Sequence, residues 1–91
     1  MYVAILRIEL RIGDGPRARD RIVRAIVEKI HRHFNVSVAE VDRAKHPSES
    51  VIGVAAVAAS RKEVREVLDR VADAVAVHPR AEVLSVERDD V

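Results

Sequence analysis

Val51-Ile52-Gly53-Val54-Ala55-Ala56-Val57-Ala58-Ala59 is apolar throughout and stands near the middle of a 91-residue chain. A run of this kind predicts a central strand buried on both faces, kept slim by its alanines and Gly53. A central strand needs strands beside it and helices over it. The sequence on either side supplies them.

Toward the C-terminus, Ser60-Arg61-Lys62-Glu63 has the form of a capping box. In that motif the serine hydroxyl and the glutamate carboxylate each serve a free backbone N–H at a helix start. Val64, Val67, Leu68, Val71 and Val75 follow at helical spacing, and the helix they mark ends near His78-Pro79. Residues 81–87, with Val83, Leu84 and Val86, then read as a last strand.

Toward the N-terminus, residues 43–50 hold Pro47 and two serines and predict a turn. Val36-Ser37-Val38-Ala39-Glu40-Val41 before it is short and β-branched, hence a strand. Ile22, Val23, Ile26, Val27, Ile30 and Phe34 make one apolar stripe of a helix over residues 16–33, stopped by Asn35. Asp14-Gly15-Pro16 starts that helix, since proline suits the first turn and an acidic residue suits the dipole. Between residues 2 and 12, Ala4, Leu6, Ile8, Leu10 and Ile12 alternate with Arg7, Glu9 and Arg11, the pattern of a half-buried strand.

The order is β-α-β-β-α-β, and no linker or low-complexity segment interrupts it. Right-handed crossovers and a shared core predict one α+β, ferredoxin-like βαββαβ domain over residues 1–91. Its four-stranded antiparallel sheet takes the order 4-1-3-2, with both helices on one face. A domain-swapped or edge-paired dimer of the same elements is the runner-up. In the single domain three loops meet at one end: residues 13–17, 43–50 and 78–80. Ile26, Ile30, Leu68 and Val71 are expected to face the sheet.

Composition narrows the function classes. Nearly half of the residues are hydrophobic and a third are charged, a globular balance. The chain has no cysteine, which excludes disulfides and thiolate metal sites. No apolar run approaches the length of a membrane span, and the N-terminal stretch has no secretory leader pattern, so a cytoplasmic protein without membrane contact is expected. The net charge is +1, but the halves differ. Residues 1–45 carry ten Lys/Arg against six Asp/Glu; residues 46–91 carry six against nine.

Phe34-Asn35-Val36-Ser37-Val38-Ala39-Glu40-Val41 resembles a stretch typical of the YlxP-like family, small bacterial proteins of unknown function. The opening residues 3–10, with Leu6-Arg7-Ile8-Glu9-Leu10, are similar to that family's first strand. Val67-Leu68-Asp69-Arg70-Val71, His78-Pro79 and Ala81-Glu82-Val83 are similar to its last third. The resemblance implies a ferredoxin-like fold and no established activity. Members are often encoded beside translation and transcription-elongation factors, which implies an RNA- or ribosome-related role by association. Two departures stand out. The family's Ser-Leu-Lys-x-Lys-Arg run into the first helix reads Gly15-Pro16-Arg17-Ala18-Arg19-Asp20-Arg21 here, and its Leu-Trp-Gln in the middle loop is missing from residues 44–50.

The densest functional signal is basic. Arg17, Arg19, Arg21, Arg24, Lys29 and Arg32 crowd the first helix against only Asp20 and Glu28. Arg17, Arg21, Arg24 and Arg32 recur at steps that share one exposed face, and the loop geometry brings Arg43, Lys45 and His46 near Arg17. Arginine's planar fork makes paired hydrogen bonds to phosphate. The candidate nucleic-acid-binding set is therefore Arg17, Arg19, Arg21, Arg24, Arg32, Arg43 and Lys45. The competing reading is a solvated, Glu-paired surface. Base stacking on the sheet is ruled out, since Tyr2 and Phe34 are the only aromatics and the central strand has none.

Other chemistry is thinner. Gly13-Asp14-Gly15-Pro16-Arg17 at a helix start has the place of an acylphosphatase phosphate loop, yet Asp14 would repel an anion, and Glu40 and Asp42 stand where an amide should orient water. His31 and His33 lie on different faces of one helix and cannot chelate a metal. His46 and His78 sit beside prolines in turns. The reading is a noncatalytic binding domain without cofactor or metal, contacting RNA or the ribosome through the first helix and adjacent loops. A homodimeric protein-interaction or scaffold module is the alternative, and an acyl-phosphate or phosphate-ester hydrolase the third.

Overall fold

The computed structural model describes residues 1–13, 15–42 and 46–91. Its elements run β1 (Tyr2–Ile12), α1 (Gly15–His33), β2 (Ser37–Asp42), β3 (Glu49–Ala58), α2 (Arg61–Ala76) and β4 (Ala81–Asp90). The strands form one antiparallel sheet in the order β2-β3-β1-β4, the expected 4-1-3-2 read from the other edge.

Alternation in β1 decides which side becomes the core. Ala4, Leu6, Ile8, Leu10 and Ile12 are buried, and their partners on β3 (Ala56, Val54, Ile52 and Ser50) point the same way. Both helices lay their apolar stripes on that face. Ile22, Val23, Ile26 and Ile30 of α1 and Val64, Leu68, Val71 and Val75 of α2 join one cluster, with Ile26, Ile30, Leu68 and Val71 facing the sheet as expected. Ser60 caps α2 by accepting the Glu63 N–H at 3.1 Å. Among the described residues the reciprocal bond from the Glu63 carboxylate is not made.

The expectation that the central β3 is buried on both faces needs correction. Its odd-numbered side chains point away from the helices, and among the described residues no element covers Gly53, Ala55 or Val57. Val57 is 59% exposed, and Gly53 and Ala55 are half-buried. Only Val51, between Glu9 of β1 and Asp42 of β2, is buried there. This open face is split by chemistry. Toward β4 it is charged: Arg7 pairs with Glu9 at 3.0 Å, and Arg11 lies 3.5 Å from Glu82 and 3.7 Å from Glu49. Toward β2 it is apolar, with Ile5, Ala55, Ala39 and Val41 bordering one shallow groove.

Beyond one-residue shifts in α1, β2 and the end of β3, three bounds differ from expectation. β4 runs to Asp90 because its charged tail is tied to α2, through Arg88–Asp69 at 3.1 Å and Arg65–Asp90 at 3.6 Å. β3 starts at Glu49, two residues early, since Ser50 is drawn into the core face. α2 stops at Ala76, short of His78-Pro79, capped by the Val77 N–H on the Asp73 carbonyl at 3.3 Å and the His78 N–H on the Val75 carbonyl at 3.1 Å.

Candidate functional site

The three loops do gather at one end. The Ile12 N–H donates to the Ser48 carbonyl at 2.7 Å, and Arg11, Gly13, Gly15, Ser48, Pro79 and Glu82 border one open cleft. Gly15 has φ +87°, a conformation that a side chain would strain, so glycine is required at the entry to α1. The two loop histidines serve their own turns. His46 Nδ1 accepts the Ser48 N–H at 3.2 Å, and His78 Nδ1 accepts the Arg80 N–H at 3.2 Å. Among the described residues no group of three or more His, Cys, Asp or Glu could hold a metal ion.

The arginines of α1 fall into two classes. Arg19, a member of the candidate nucleic-acid-binding set, is buried at 3% exposure. Its Nη2 donates to Glu40 Oε2 at 2.5 Å, its Nη1 to Asp20 Oδ1 at 2.6 Å and its Nε to the Glu49 carbonyl at 3.0 Å. The Ser50 hydroxyl donates to the same Glu40 oxygen at 2.6 Å. Arg19 thus leaves the candidate interface for a physical reason. A phosphate would have to displace a carboxylate already held by a buried, multiply bonded guanidinium. The cluster fixes the start of α1 to the β2–β3 hairpin. It also occupies Glu40, one of the two carboxylates that stand where an acylphosphatase-like site would need an amide.

Arg17, Arg21, Arg24 and Arg32 are exposed. At about 100° per residue they span an arc of roughly 80° on the side of α1 opposite its core stripe, over a length of about 22 Å. Among the described residues none of the four has a hydrogen-bond or ion-pair partner, nor does Lys29. On α2 the picture differs. Arg65 pairs with Asp90, and Arg61 stacks over the Tyr2 ring at 5.6 Å from its centroid. Arg32 also lies in the last turn of α1 with His31 and His33, where the helix dipole favours positive charge. Arg43 and Lys45, expected near Arg17, lie outside the described residues, as does Asp14.

The sequence matches, over residues 3–88, the family described as Protein of unknown function (DUF503). The chain is a small α+β domain of this DUF503 family. No curated protein matches it. Among solved structures it is similar to a glycopeptide hexose oxidase crystallised with teicoplanin, at 22% identity and a TM-score of 0.44. The match covers 94% of this chain and spans a fifth (20%) of the oxidase. Among the described residues no helix is long and apolar enough to cross a membrane.

Proposed function

We propose that this domain is a noncatalytic cytoplasmic module that binds RNA, free or within the ribosome, through the phosphate backbone. The contact is the outer face of α1, with Arg17, Arg21, Arg24 and Arg32 as the phosphate ligands. One observation carries the reading: among the described residues these four exposed arginines have no partner, while most other surface arginines do. Holding four like charges along one arc, with Glu28 the one opposite charge among them, costs repulsion that a bound polyanion relieves. The finer likeness of Phe34-Asn35-Val36-Ser37-Val38-Ala39-Glu40-Val41 to YlxP-like proteins supports the same class of partner. Recognition is by charge and shape, because the sheet offers no aromatic platform for bases.

The reading is tested by changing Arg17, Arg21 and Arg32 together to glutamine and measuring affinity for an unstructured RNA at low salt. A matched variant changes Arg61, Arg65 and Arg70 of α2 to glutamine. The α1 variant is expected to lose most of the affinity and the α2 variant little. Equal losses from the two would refute the assignment to α1.

A further inference from the structure

The two edges of the sheet are built differently. β4 ends in Glu87-Arg88-Asp89-Asp90 and also carries Glu82, a charged edge that resists pairing with a copy of itself. β2 is short, with no lysine or proline, and its outer backbone groups have no strand beside them. Its one central charge, Glu40, is turned inward onto Arg19 and Ser50. Apolar surface flanks this edge on both sides of the sheet. On the open side a groove of about 400 Å³ runs along Ile5, Ala39, Val41, Gly53 and Ala55. On the helix side Val23, Val27 and Val38 floor a second groove, rimmed by Asp20, Arg24 and Glu28.

We propose that β2 pairs antiparallel with β2 of a second copy of this chain, about a two-fold axis at Ala39. Pairing must keep each residue opposite one on the same face, so the register moves in steps of two. Two registers overlap five residues of Ser37–Asp42. The one centred on Glu40 sets two buried-side carboxylates against each other. The one centred on Ala39 sets Ala39 against its own copy, Ser37 against the partner's Val41 and Val38 against the partner's Glu40, with no like charges opposed. The β-bulge between Glu40 and Asp42 ends the pairing there.

The same axis places the two α1 helices antiparallel on one side of an eight-stranded sheet. Edge and apolar flanks match their own copies under one two-fold operation, which is what an isologous dimer requires. Arg21 and Arg32 lie farther round α1 from this edge than Arg24 and Glu28, and the pairing of β2 with its copy uses none of the α1 arginines.

The test is sedimentation equilibrium of the whole chain from low-micromolar to sub-millimolar concentration. The unmodified protein is expected to double its mass over that range. Ala39→Lys and Ala39→Glu, each exposed at the axis and each setting like charges together, are expected to stay monomeric with unchanged far-UV circular dichroism. Mixed in equal amounts, they are expected to associate again. Val57→Lys, on the open face of β3 beyond the end of its ladder with β2, and Val86→Lys on β4 are expected to leave the dimer intact. A monomeric unmodified protein, a dimeric Ala39→Lys, or a mixture that fails to associate would overturn the proposal. Dissociation by Val57→Lys would instead show packing through the open faces, and that too would overturn it.

Discussion

Arg19 of α1 and Glu40 of β2 meet at 2.5 Å, with the arginine side chain 4% exposed and the glutamate side chain 25% exposed. This pair and the Ser50 hydroxyl join the start of the first helix to the β2–β3 hairpin, at the end where the loops converge. A buried ion pair costs heavily when one partner is removed, because the other is left uncompensated. Arg19→Met is therefore expected to destabilise the domain by about 3 kcal/mol in urea melts. Glu40→Gln should cost less, about 1–3 kcal/mol, since a hydrogen-bonding group remains. The double variant should lose less than the two losses added together. A loss near zero for Arg19→Met would show that the pair is incidental.

The position of Arg19 was legible in principle. Stepping back three and four residues from Ile22 and Val23 lands on residue 19, so the apolar stripe of α1 runs into an arginine. Glu40 has the same parity as Val36 and Val38, which points it toward the helices. Counting the arginines of α1 by density treated Arg19 as one more surface cation. The pairing needs the fold, because residues 19 and 40 are neighbours only once α1 crosses over β2. The strand alternation, the two helix stripes and the Ser60 cap were readable directly, each being a local pattern within one element. Whether the second face of β3 is covered was not. An all-apolar run reports compatibility with burial, and Val57 shows that compatibility is not occupancy.

Gly53 and Val41 form a second coupled pair. A Cβ added at Gly53 would lie 2.7 Å from Val41 Cγ1, so the valine side chain rests where the glycine has none. Val41 is β-branched and stiff at χ1 and cannot simply swing aside. Gly53→Ala is expected to destabilise the domain, although alanine ordinarily improves a strand by up to about 1 kcal/mol over glycine. Adding Val41→Ala should recover most of the loss. Chemical denaturation of the two single variants and the double checks this, and additive losses would contradict it.

Ser85 offers a change in the opposite direction. Its Oγ is buried without a hydrogen-bond partner among the described residues, on β4 across from Glu9. A buried hydroxyl that lost its water and gained nothing is a standing cost. Ser85→Ala is expected to be neutral or to stabilise by about 1 kcal/mol in thermal melts. A clear destabilisation would show that the hydroxyl has a partner.

The central claim is that the free arginines of α1 hold phosphates. Its most direct test is the salt dependence of binding to a labelled, unstructured RNA, read as the slope of log affinity against log salt. Four phosphate contacts to a single strand predict a slope of about −3, at about −0.7 for each. With Arg17, Arg21 and Arg32 changed to glutamine, the slope is expected to shallow to about −1 as affinity falls. No binding by the unmodified protein at low salt, or a slope the triple variant leaves unchanged, would contradict the account.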